Sequence, residues 1–168
     1  VPPFSSFTRH GPETPASPVV LSVPHAGRAY WPGLLATARV PQAGLQALED
    51  RHVDTLALAA RHCETAIVAT RPRAWIDLNR GEEERDPLLD DGARSGRGAG
   101  APLSPRLRSG LGLVPRRVGS HGNLWHDRLS DAQVRARIET DHRPYHAAVS
   151  AMLEAAYDRF GIAALLDI

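Results

Sequence analysis

The sequence predicts an α/β fold built around one largely parallel sheet. Three observations carry that prediction. Short, continuous apolar runs, "PVVLSVP" at 18–24, "TAIVAT" at 65–70 and "IAALLDI" at 162–168, read as buried strands. Segments of helical period lie between them, at 41–63 and 129–161. Strands alternating with helices favour parallel pairing. At 168 residues, the chain fits one domain able to bury a sizeable core.

Taken in order, residues 1–17 are rich in Pro, Ser and Thr and read as an irregular arm. The first strand, 18–24, runs into a His25-Ala26-Gly27 loop. Pro41 suits a first helical turn. Leu45, Leu48, Leu56, Ala59 and Cys63 then recur at three- and four-residue spacing, lining one face of a helix over 41–63. The second strand is 65–70, and "AWIDL" at 74–78 reads as a third. Residues 81–123 are rich in Gly, Pro and Arg, most of all at "GARSGRGAG". So long a connection inside a compact domain is usually a functional flap or a disordered segment. The late helix opens with a capping box, Ser130 with Gln133, and stops at Gly161. Pro144 inside it predicts a kink or a split. Residues 162–168 are the fourth strand.

Composition narrows the function. A formal net charge of +1 leaves no electrostatic footprint for nucleic acid or a membrane surface, and 5% aromatic residues argue against nucleic-acid stacking. No run has transmembrane length and no signal segment opens the chain, so the expected compartment is the cytoplasm. All 20 basic residues are Arg, which makes a guanidinium, a backbone amide or a His the means of holding any anion. The single cysteine, Cys63, excludes a disulfide framework and a Cys-rich zinc site. The opening Val and the closing apolar run read as cuts, so the expected unit is one α/β domain over 1–168 that lacks its C-terminal part.

Three constellations can carry chemistry, and open α/β sheets place ligands beyond the carboxyl ends of their strands. His25 follows the first strand and is a candidate metal ligand, since neutral imidazole binds zinc well. In "EDRHVD", Asp50 and Asp54 share a helical face at i, i+4, and His52 points the other way. Either carboxylate can partner His25. A helix beginning near Glu49 would return His52 to the candidates, and a solvated acidic face is the alternative. In "RPRAWIDLNR", Asn79 and Arg80 project from a strand end, where an amide beside a guanidinium suits a small carboxylate. Arg73 lies seven residues earlier. The alternative there is a structural salt bridge between Asp77 and Arg80. His121 and His126, and the pair His142 and His146 around Pro144, are weaker signals. HExxH, GxSxG and P-loop motifs are absent.

Together, "VPHAG", "DRHVDTL", "RPRAWIDLNR", "GLGLVPR", "RPYHAAV" and "ALLDI" resemble the N-formylglutamate amidohydrolase family, in family order over residues 19–168. The resemblance implies a three-layer fold like that of the zinc carboxypeptidases, the phosphorylase/hydrolase-like architecture, holding one Zn2+ ion. It implies that Asn79 and Arg80 anchor a substrate carboxylate and that Arg73 faces the developing oxyanion. His25 would be the first zinc ligand and Asp50 or Asp54 the second. Residue 28 is Arg where the carboxypeptidases' His-x-x-Glu pattern has its acid. The family continues past the last strand with Asp-x-His-Ser, so its third ligand and later glutamate lie beyond Ile168. Residues 162–168 are accordingly expected to be a central strand with its carboxyl end toward His25. The implied activity is zinc-dependent hydrolysis of a small N-acyl amino acid such as N-formyl-L-glutamate. The alternatives are a related peptidase or amidase and a non-catalytic binder of small carboxylates.

Overall fold

The computed structural model describes residues 5–94, 103–119 and 122–168. Strands β1 (Phe7–His10), β2 (Val19–Val23), β3 (Thr65–Ala69) and β4 (Ala164–Asp167) form one sheet in the order β1-β3-β2-β4. β2 pairs in parallel with both β3 and β4, and β1 pairs antiparallel with β3. The helices are α1 (Pro32–Thr37), α2 (Gln42–Gln46), α3 (Val53–Ala60), α4 (Pro105–Arg108), α5 (Asp131–Arg137) and α6 (Arg143–Phe160). Among the described residues no helix is long and apolar enough to cross a membrane.

The apolar runs of β2 and β3 are continuous because both faces of the sheet are covered. Val20, Ile67 and Ala69 point into the larger core with Tyr145 and Val149 of α6. Leu21, Val23, Ala66 and Val68 point the other way, against Ala57, Val53 and Leu58 of α3. The result is three layers, α3 on one face and α6 on the other. Val20 and Ile67 are fully buried, which contributes roughly 2 kcal/mol for each side chain relative to exposure.

Several expectations need correction. The arm at 1–17 contains a strand: β1 caps the outer edge of β3, with Phe7 edge-on to Tyr145 at 6.2 Å. The helix expected over 41–63 is two helices, α2 and α3. His52 breaks it with φ +68, the left-handed region. The break shifts the helical phase, so Leu45 and Leu48 are buried as expected, but Leu56 is 66% exposed and Ala57 takes the core position. Residues 74–78 are not a strand. Ala74, Ile76 and Leu78 are buried, but the segment is a series of turns, closed by Trp75 N–H to Pro72 O and Arg80 N–H to Asp77 O.

The stretch 81–123 is more ordered than its composition predicts. It contains a 3-10 turn at Asp91–Arg94 and α4, and it buries Leu89, Leu107, Leu113 and Val114. Most of "GARSGRGAG", and His121, lie outside the described residues. The late helix has the expected capping box at Ser130 and Gln133, and Gly161 ends it at φ +71. Pro144 does not split it. A π-helical turn, Ile138–His142, precedes the proline instead, with Arg143 N–H bonded to Ile138 O. Among the described residues β4 is an edge strand rather than a central one, and all four of its residues are exposed. Its carboxyl end does run in the same direction as that of β2.

Candidate active site

β2 is flanked by β3 on one side and β4 on the other, so the crevice of this sheet opens at the carboxyl end of β2. His25 stands there, two residues past the strand. Gly27 follows, and its lack of a side chain is a steric requirement. A Cβ at this position would lie 1.9 Å from Arg71 O and 2.4 Å from Arg71 C. The loops leaving β2 and β3 therefore touch backbone to backbone, with Ala29 N–H bonded to Thr70 O. This brings His25 beside the chain that carries Arg73, Asp77, Asn79 and Arg80.

Asp77 is the organising charge. It is fully buried, and its carboxylate accepts from His25 Nε2 at 2.7 Å, Arg73 Nε at 2.9 Å and Asn79 N–H at 3.0 Å. Arg80 Nε lies 3.8 Å away. Burial pushes its pKa up, but the His25 hydrogen bond and the charges of His25, Arg73 and Arg80 outweigh burial and hold the carboxyl below its usual range. The sequence offered Asp77 only as a structural partner for Arg80. The signal for its larger part was an acid inside an apolar run, flanked by Arg at i−4 and i+3, because a buried carboxylate must be paired.

His25 is buried, and its Nδ1 lies 3.1 Å from Asp50 Oδ2. Asp50 is 47% exposed at the side chain, so this end of the pair reaches solvent. A neutral imidazole has one N–H. With that proton given to Asp77, the Nδ1 lone pair faces a carboxylate oxygen, an arrangement that calls for a cation or a second proton between them. Two ligands of one tetrahedral zinc, each about 2.0–2.1 Å from the ion, lie roughly 3.3 Å apart. The Nδ1–Oδ2 separation fits that spacing, and Asp77 is then the carboxylate that orients the ligating ring. Among the described residues no third His, Cys, Asp or Glu joins them in a metal-holding group.

The other acidic candidates separate. Asp54, in the first turn of α3, is ion-paired with Arg28. His52 is exposed at the break between helices. Glu49 is held by Tyr30 Oη at 2.5 Å and Arg51 Nε at 2.8 Å. Arg80 donates Nε to Leu111 O and Nη1 to Asn79 O, and neither bond engages Nη2. Arg73 is tied to Asp77 through Nε, which leaves its terminal nitrogens out of that bond. Asn79 is exposed, between the buried Leu78 and the half-buried Arg80.

The carboxyl end of β4 reaches the same region. Ser22 Oγ donates to Asp167 Oδ1 at 2.6 Å and contacts Tyr145 Oη at 2.9 Å, three residues before His25.

A family model described as N-formylglutamate amidohydrolase matches residues 17–168. Among solved structures, the chain is similar to a crystal structure of an N-formylglutamate amidohydrolase from Ralstonia eutropha JMP134, with 35% sequence identity and a TM-score of 0.81. The similarity covers 98% of this chain and 57% of the Ralstonia chain. No curated protein matches the sequence.

Proposed function

Because this chain belongs to the N-formylglutamate amidohydrolase family, we propose that it is a zinc-dependent amidohydrolase of the cytoplasm, cleaving a small N-acyl amino acid such as N-formyl-L-glutamate. The observation that carries the reading is the His25–Asp50 pair, 3.1 Å apart, backed by buried Asp77 on the far nitrogen of the same ring. A bound zinc ion supplies Lewis acidity toward an amide carbonyl and lowers the pKa of water. His25 and Asp50 hold it. Asp77 accepts a hydrogen bond from His25 Nε2–H, which leaves the Nδ1 lone pair free for the ion. Arg73, anchored through Nε, offers its terminal nitrogens to the oxygen that gains charge as the amide is attacked. Asn79 and Arg80 receive the α-carboxylate, the group every N-acyl amino acid shares.

The test is zinc stoichiometry and formate release from N-formyl-L-glutamate, measured on the intact protein and three variants. His25→Ala and Asp50→Ala should lose most zinc and activity. Asp54→Ala should keep most of both, since Asp54 serves Arg28. Zinc content unchanged in both His25→Ala and Asp50→Ala would refute the metal assignment.

A further inference from the structure

The residues that would read the carboxylate sit on a chain with no ladder to hold it. Residues 74–80 leave the sheet, so their backbone carbonyls need other partners. Two of those partners are histidines on the late helix. His142, buried at the end of the π turn, places Nε2 2.7 Å from Arg80 O. His146, one turn on and partly exposed, turns Nε2 to Leu78 O at 2.9 Å. The rings lie 4.3 Å apart, centroid to centroid. A carbonyl only accepts, so each Nε2 carries the proton and both tautomers are set. The two carbonyls held this way bracket the Asn79-Arg80 pair, and the N–H of Asn79 is itself fixed by Asp77.

The π turn supports this arrangement. Pro144 has no N–H for the carbonyl four residues back, and the bonding widens to Arg143 N–H and Ile138 O. Asp141 and His142, adjacent in the chain, then both serve the 71–80 segment. Asp141 accepts from Arg71 Nε at 2.7 Å and Trp75 Nε1 at 2.8 Å, and His142 takes the far end. Both ends of the segment therefore rest on residues 141–146.

We propose that His142 and His146 are positioning residues for carboxylate recognition: a two-histidine clamp on the Leu78–Asn79 and Arg80–Gly81 peptides, at the two ends of the Asn79-Arg80 pair, that aims Asn79 and Arg80 at the substrate. This rests on the reading that Asn79 and Arg80 hold the α-carboxylate. A ring that only packs would be replaceable by any residue of similar size. A ring that acts through its N–H is replaceable only by another donor.

The experiment is calorimetric binding, with KM and kcat alongside, for N-formyl-L-glutamate and for its α-carboxamide. It uses the intact protein and the variants His146→Leu, His146→Gln, His142→Gln and Arg80→Ala. His146→Leu should weaken the acid by about 10-fold and the capped compound by less than about 2-fold. His146→Gln and His142→Gln, whose amides can donate to the same carbonyls, should return the acid to within about 3-fold of wild type. If His146→Leu does not fold, His146→Ala removes the donor without bulk and is read the same way. Arg80→Ala reports on the underlying reading. If it weakens both compounds equally, the carboxylate assignment fails and the clamp with it. If Arg80→Ala discriminates but His146→Leu affects both compounds equally, or neither, the clamp is overturned and the carboxylate assignment stands.

Discussion

Arg73 and Arg80 both lean on Asp77, at different distances. Arg73 Nε is hydrogen-bonded at 2.9 Å, whereas Arg80 Nε is 3.8 Å away and bonds chiefly to backbone carbonyls. Their substitutions should therefore separate in steady-state kinetics. Arg80→Ala should weaken acidic substrates by roughly 10- to 100-fold, and Arg80→Lys should recover only part, lacking the planar fork. Arg73→Ala should lower kcat more than it raises KM, because the charge it is proposed to meet develops in the transition state. Asp77→Asn should cost stability as well, about 2 kcal/mol by urea unfolding, because it removes the buried charge that Arg73 and His25 are hydrogen-bonded to. The sequence brings His25 forward because it follows the apolar run of β2, and Asn79 and Arg80 because they close the buried run 74–78, which folds as turns rather than as a strand. The choice between Asp50 and Asp54 was not legible. It turns on the left-handed residue between them, and nothing in "EDRHVD" requires His52 to adopt that conformation.

At the scale of elements, β2 and β3 could be read directly, because continuous apolar runs reflect burial on two faces. "AWIDL" carries the same pattern, with Ala74, Ile76 and Leu78 in the core, yet it finds no place in the sheet. Both edges of β3 are taken, by β1 and β2, and Asp77 N–H bonds to Leu113 O instead. Periodicity reports burial and cannot report whether an edge is free. The helix break makes its own prediction. A non-Gly residue with φ +68 is strained by about 1 kcal/mol, so His52→Gly should raise the urea midpoint and His52→Val should lower it. The late helix predicts a pH dependence. Burial, and then the neighbouring His142, lower the pKa of His146, against the opposing pull of Leu78 O, Asp167 and Glu82. The folded chain thus disfavours the proton. The contribution of His146 should be complete above the ordinary histidine value near 6.5 and should be lost as pH falls through the lower folded value. Urea midpoints between about pH 7 and pH 5 should fall less steeply in His146→Leu than in wild type.

On the scale of the whole molecule, the sheet of the described residues has two edge strands, β1 pairing only with β3 and β4 only with β2. At the β4 edge Leu165 and Leu166 are 48% and 52% exposed, and Ile162 and Tyr157 are exposed as well. An apolar edge of this kind templates pairing with another chain. Residues 1–168 alone should self-associate with concentration in sedimentation velocity, and Leu166→Lys should reduce it. The junction at Gly27 has a different consequence. At Gly27 the loops leaving β2 and β3 meet with no side chain between them, so the proposed metal half and the proposed anion half of the cleft are welded at a fixed span. Such a weld acts as a ruler. Under the proposed function, the distance from scissile carbonyl to carboxylate is gauged by this backbone packing before any side chain reads charge. Gly27→Ala must force the weld apart, at a cost of about 3 kcal/mol. Zinc affinity and selectivity for the free acid, which the side-chain substitutions affect one at a time, should then decline together.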